Sequence, residues 1–205
     1  MLDCIREDRS NVRAIWCRRK IMGCALTALR LRTQAFLLDY IFISLYICIL
    51  IGVSILIGVS PLKTAFLRLF ADPNLSEFTA FLVLVLPIIL YFALFECSQQ
   101  RATWGKRKMG LYVTDTQGTQ LSLTRSLIRS LLKFLPWEVT HACLWRIPGW
   151  PLAPISVPPF IVGGLVLVWV IVGLYVLSLC ISPTHRTIYD MLSGTYIRKR
   201  DKIYA

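Results

Sequence analysis

One stretch limits this chain more than any other: from Ala35 to Val59 it reads AFLLDYIFISLYICILIGVSILIGV, with Asp39 as its single charge. About 20 apolar residues cross a hydrocarbon core of roughly 30 Å, so the block predicts a transmembrane helix over 35–59. Two similar blocks predict spans over 78–97, with Pro87 in its middle, and 160–181, with the Gly163-Gly164 pair and Gly173. A mid-span proline is tolerated where neighbouring groups satisfy the carbonyl it frees. The whole chain agrees, being 56% hydrophobic and 17% charged, where globular proteins average about 45–50% apolar. Its 205 residues allow one membrane domain but not several crossings plus a catalytic domain of about 100–150 residues.

The formal charge of +12 would suggest nucleic acid in a soluble protein. Here the charges sit between apolar blocks, so lipid headgroups are the expected partner and nucleic acid is not. Lys and Arg number 8 in residues 1–34, 2 in 60–77, 5 in 98–126, 1 in 146–158 and 5 in 183–205. Rich and poor segments alternate, and rich segments stay cytoplasmic. Both termini are therefore expected inside the cell membrane, which requires an even number of crossings.

That count bears on 127–145, where apolar residues are interrupted by Arg129, Lys133, Pro136, Glu138 and His141. The segment reads either as a short, polar third crossing, giving a four-helix bundle, or as an amphipathic helix lying in the interface. Ile147 to Pro159, with five prolines and Trp150, reads as an extended outer segment. Gly110 to Asp115 reads as a strand, Thr116 to Gly118 as a turn and Thr119 to Ser122 as a return strand. The expected fold is thus an all-α membrane protein carrying a small cytoplasmic β-hairpin.

Asp39 lies about one turn inside the first span, where an unpaired charge costs roughly 2.5–3.5 kcal/mol. It must be paired, protonated or hydrated. Arg32, seven positions earlier, falls on nearly the same helix face but about 10 Å away along the axis, so both are expected to meet groups from other helices. One reading makes Asp39 a proton or cation site, and the other makes it a packing ion pair. Glu96 reads as a solvated helix end. Arg129, Lys133, Glu138 and His141 form a candidate polar stripe, facing either the bundle interior or, snorkelling, the interface. Lys106-Arg107-Lys108 reads as a juxtamembrane anchor to anionic lipid.

The seven cysteines contain no C-x-x-C pair, so no disulfide or zinc framework is expected. Thr103-Trp104-Gly105-Lys106-Arg107 is not a phosphate loop, since the first glycine position is Gln100 and the last position is Arg107. No catalytic constellation, metal site or cofactor motif is present, and an enzyme is not expected. The N-terminal segment lacks a signal-peptide core, and Met22 is an alternative start.

Several motifs in order resemble one family. Arg32-Thr-Gln-Ala35-Phe-Leu-Leu-Asp39 resembles the opening of RDD family membrane proteins. Thr103-Trp-Gly105-Lys106 through Gly110-Leu-Tyr-Val113-Thr-Asp115 resembles their loop, Leu-Ile-Arg129 the start of their third segment, and Tyr189-Asp190 through Gly194-Thr195 their closing motif. Tyr189 stands where histidine is common in that family. The resemblance implies a membrane domain over 32–197, flanked by basic cytoplasmic segments at 1–31 and 198–205. It maps the family's namesake arginine and two aspartates onto Arg32, Asp39 and Asp190. The family's molecular activity is unsettled, and cation/proton antiport has been proposed for some members. That implies Na⁺ or K⁺ and protons as partners, with Asp39 as carrier, in a homo-oligomer because four helices enclose little space. Asp190 is expected to bond a basic group or backbone amides near Arg32 or the Thr103–Lys106 loop. The alternative is a non-catalytic adaptor holding a partner or anionic lipid at its cytoplasmic face.

Overall fold

The computed structural model describes residues 2–150 and 156–200, with side chains described for residue 23 and from residue 25 onward within those ranges. The basic side chains before residue 21, Met22, residues 151–155 of the proline-rich segment and the tail at 201–205 lie outside the described side chains. Three helical stretches are long and apolar enough to cross a membrane: Ala25–Gly58, Pro73–Cys97 and Pro159–Ile181. The last two contain the expected spans 78–97 and 160–181, the first covers 35–59 up to Gly58, and the protein is a multi-pass membrane protein.

The first span belongs to a continuous helix, α1 (Leu2–Gly58), which begins well before the expected boundary. After the short α2 (Lys63–Arg68), the second span is a rod of three parts: α3 (Pro73–Ala80), a π-helical turn (Phe81–Val85) and α4 (Leu86–Cys97). Asp72 caps α3 by accepting from the Asn74 and Leu75 amides. Then come α5 (Trp104–Lys108), β1 (Leu111–Asp115), α6 (Leu123–Trp145), α7 (Pro159–Ile181), α8 (Ile188–Leu192) and β2 (Thr195–Lys199).

The polar segment is a single 23-residue helix, α6, about 34 Å long at 1.5 Å per residue. It lies antiparallel to the second-span rod along its full length. Near its start Ser126 donates to the Ala93 carbonyl at 2.8 Å. Midway the Phe134 and Phe92 rings meet at 5.1 Å. At its end Arg146 pairs with Glu77 at 2.6 Å. α7 returns along α6, with Tyr175 beside Leu132 and Gly164 facing Cys143. Ile43, Val85, Ile88, Ile89, Phe92 and Phe134 fill the core between α1, the rod and α6.

Two prolines interrupt this bundle, and the same device repairs both interruptions. A proline cannot donate to the carbonyl four residues earlier. For Pro87 that carbonyl belongs to Val83, inside the π turn, and the Tyr46 hydroxyl of α1 donates to it. For Pro136 it belongs to Leu132, and the Tyr175 hydroxyl of α7 donates to it at 2.6 Å. In hydrocarbon no water replaces the missing donor, so each tyrosine satisfies what its neighbour's proline exposes.

The small sheet differs from the expected hairpin. β1 and the turn at Gly118 are present, but the partner of β1 is β2, antiparallel, with Leu111 opposite Lys199 and Asp115 opposite Thr195. Residues 119–122 do not return as a strand. The cause is Asp115, whose carboxylate accepts from the Gln117 and Thr119 amides and the Thr119 hydroxyl at 2.8–2.9 Å. This closes a tight side-chain turn that directs the chain away from β1. Leu121 is then buried and Ser122 caps α6.

The proline repair predicts a double-mutant signature. Tyr175→Phe should lower stability in detergent by about 1 kcal/mol, while in a Pro136→Ala background, where residue 136 regains its amide, the same change should cost little. Thermal melts of the four proteins check the coupling, and Tyr46 with Pro87 should behave alike.

Candidate functional site

The four sequence motifs come from α1, the α4–β1 connection, α6 and α8, and they converge at one end of the bundle. The centre is Arg129 of α6, 1% exposed. Its Nε and Nη2 donate to Asp190 Oδ1 at 2.9 and 2.8 Å, and its Nη1 pairs with Glu96. Nε also reaches the Thr195 hydroxyl at 3.2 Å. Arg32 donates to Asp190 Oδ2 at 2.7 Å and to the His185 carbonyl at 2.7 Å. Lys106 pairs with the other oxygen of Glu96. One chain of charge thus runs Arg32–Asp190–Arg129–Glu96–Lys106, with Glu96 and Asp190 fully buried.

Local structure holds each member. Asp190 is the third residue of α8 and forms a capping box with Thr187, so helix formation and charge pairing fix the same carboxylate. Burial pushes its carboxyl up, but Arg129 and Arg32 outweigh that and hold it well below the usual carboxylate range. For Lys106 burial is the larger influence and lowers its pKa, against the opposing attraction of Glu96. Tyr189, at the position where histidine was expected, lies over the Arg129 guanidinium at 5.4 Å.

Asp39 is fully buried yet makes no ion pair among the described residues. Its Oδ1 accepts from the Gly105 amide at 2.7 Å and the Tyr91 hydroxyl at 3.0 Å, and its Oδ2 from the Thr103 hydroxyl at 2.6 Å. Gly105 is the second residue of α5, so Asp39 caps that helix from a different one. Three donors, one of them the amide of the second residue of α5, thus satisfy both carboxylate oxygens. The close approach requires glycine, because a Cβ on residue 105 would lie 2.9 Å from the Asp39 carboxyl carbon and collide with the Ala35 carbonyl oxygen. Gly110 ends the same element at φ +67°, where its amide bonds Arg107.

A family model for the RDD family matches residues 26–194. The chain belongs to the RDD family. No curated protein and no solved structure matches it significantly. In this RDD protein the namesake residues serve two connected tasks: Arg32 and Asp190 join α1 to α8, and Asp39 joins α1 to the loop carrying α5.

Three sequence readings are corrected by the geometry. Glu96 is not a solvated helix end, since it is fully buried between Lys106 and Arg129. Lys106 is not part of the surface anchor; only Arg107 and Lys108 of that run are exposed. The stripe of Arg129, Lys133, Glu138 and His141 divides, because nine residues at 100° each place Glu138 about 180° around the helix from Arg129. Arg129 and Lys133 face the cluster, whereas Glu138 Oε2 and His141 Nδ1 are buried elsewhere without hydrogen-bond partners among the described residues. Tyr91, Thr187 and Thr195 are further members of the site. Thr195 stood inside the closing motif, but nothing in the sequence marked Tyr91.

Among the described residues no group of three or more His, Cys, Asp or Glu side chains could hold a metal ion. The arrangement instead ties five segments together. Removing Arg129 leaves two buried carboxylates short of a cation, so Arg129→Met should cost about 3–5 kcal/mol. Arg129→Lys should recover little of it, because an ammonium cannot reproduce a fork that reaches Asp190 and Glu96 together. Gly105→Ala should release the α5 loop from α1, read as faster proteolysis between residues 98 and 122 with the spanning helices intact by circular dichroism.

Proposed function

We propose that this RDD protein is a non-catalytic membrane adaptor with four crossings and both termini in the cytoplasm, holding anionic lipid headgroups or an acidic partner at its inner face. One observation carries the reading: the buried carboxylates of the cluster are all committed to donors, while the same end of the molecule presents exposed cations, of which only Arg125 has a carboxylate partner, Asp115, among the described residues. Asp39 has three donors, and Glu96 and Asp190 are each bonded to two cationic side chains. Arg107 and Lys108 of α5, Arg125 at the start of α6, and Arg198, Lys199 and Arg200 at the sheet are exposed. Each such charge near an anionic leaflet contributes about 1 kcal/mol.

The four-crossing topology is supported by the antiparallel course of α6 beside the rod and by the proline at its centre being satisfied from α7. It is the topology that keeps the basic segments on one side. A homo-oligomer fits the broad apolar surface of α7, where Phe160, Leu167, Trp169 and Leu174 are exposed.

A second reading, Na⁺ or K⁺ exchange against protons at Asp39, is favoured by one observation. Asp39 lines a cleft that also contains Lys106 and Lys133. Flux separates the two readings. Under the adaptor reading, purified protein in liposomes carries no cation-driven proton flux, and it floats with vesicles containing anionic lipid. Replacing Arg107 and Lys108 by Gln should weaken binding of the detergent-solubilised protein to anionic vesicles by roughly tenfold or more. Cation-dependent flux that disappears in a folded Asp39→Asn variant would establish the exchanger instead.

A further inference from the structure

The same cleft carries a more specific assignment. It lies between α1 and α7 with α6 as its floor and encloses about 370 Å³, within the range of small-ligand sites. Its walls are mostly apolar, including Phe36, Phe134, Val172 and Leu179. Trp137 and Val176 line it and are themselves 40% and 41% exposed. These two residues sit on the apolar flank of the bundle, so the cleft opens sideways toward lipid. Its polar end is the ionic cluster.

Lys133 reaches into that end. Its ammonium lies 3.4 Å from the centre of the Phe92 ring and 5.1 Å from those of Phe36 and Phe134. Rings attract a cation but accept none of its three N–H bonds in the ordinary way. Among the described residues no carboxylate lies within 4 Å of it and no hydrogen-bond acceptor is in reach. The charge balance agrees. Arg32, Lys106, Arg129 and Lys133 face Asp39, Glu96 and Asp190, which leaves one positive charge unmatched, and it is the one pointing into the cleft.

We infer that the cleft is a binding site for one anionic phospholipid drawn from the surrounding leaflet, its phosphate on Lys133 and part of an acyl chain along α1 and α7. The inference deepens the adaptor reading by naming a buried lipid site, separate from the exposed cations of α5 and β2. An acyl chain suits the apolar walls and sideways opening, and the phosphate supplies the missing charge and acceptors. A hydrated inorganic anion would satisfy Lys133 but leave the apolar length of the cleft unused.

The test is native mass spectrometry of the full chain released from micelles equilibrated with equimolar phosphatidylglycerol and phosphatidylcholine. Wild type should retain one phosphatidylglycerol in preference to phosphatidylcholine. Lys133→Met should reduce that preference about tenfold, as expected for loss of one charge-assisted contact, and Lys133→Arg should keep it. Val176→Trp narrows the mouth without touching a charge and should reduce retention of both lipids. Circular dichroism and melting confirm that each variant is folded, and an unfolded Lys133→Met is replaced by Lys133→Gln. Undiminished phosphatidylglycerol preference in a folded Lys133 variant together with unchanged retention in Val176→Trp would overturn the site. Vesicle binding that depends on Arg107 and Lys108 but not on Lys133 would leave the adaptor reading standing while the cleft assignment falls. Lipid retention that depends on Lys133 without any vesicle dependence on Arg107 and Lys108 would do the reverse.

Discussion

Arg129 is the interaction on which the rest depends. Its guanidinium reaches a carboxylate on each side, Glu96 at the end of the second span and Asp190 beyond the last. Each carboxylate then recruits a further cation, Lys106 or Arg32. A buried ion pair is weak evidence for net stability, since its formation removes two charges from water. Its force lies in exclusion: any packing that separates these helices leaves an uncompensated charge in a low-dielectric interior. Apolar helices in lipid have little else to fix their order and depth, because the lipid is as apolar as they are.

Asp39 complements this by holding backbone where Arg129 holds charge. An intramembrane carboxylate is usually read as a carrier or a counter-ion. Here two hydroxyls and one amide satisfy it, and the segment that supplies Thr103 and Gly105 is the one that places Lys106 on Glu96. The two halves of the cluster therefore assemble together: the Asp39 cap positions α5, and α5 delivers the cation that completes the Glu96 pair.

The spans were legible because apolar length is a one-dimensional property that the sequence states directly. Arg32, Asp39 and Asp190 were legible as a motif, as was the need for distant partners, since seven residues of helix keep the first two apart. What could not be read was register between elements. Pro87 and Pro136 announce two free carbonyls, but which tyrosine answers each depends on how helices slide past one another. The strand at 111–115 was visible, whereas its partner lies some 80 residues later, and local alternation suggested a neighbour instead. Lys106 appeared within a basic run whose other members are exposed, and only the Gly105 contact with α1 shows why it turns inward. The division of the polar stripe is different, for the 100° advance per residue already separates Glu138 from Arg129.

The order of these contacts along the chain sets a schedule for their formation. Arg32 and Arg129 are made with α1 and α6, while Asp190 and β2 come after α7. During synthesis, when the N-terminal parts of a chain emerge first, both arginines precede the carboxylate they share. The β1 edge likewise has no partner until Thr195–Lys199 has been made. A chain halted before α8 would leave Arg32 without its carboxylate, Arg129 with Glu96 alone, and an open strand edge. Closure of the membrane domain thus waits for α8 and β2, and a molecule that lacks them differs from one that has them by the cations it leaves without Asp190.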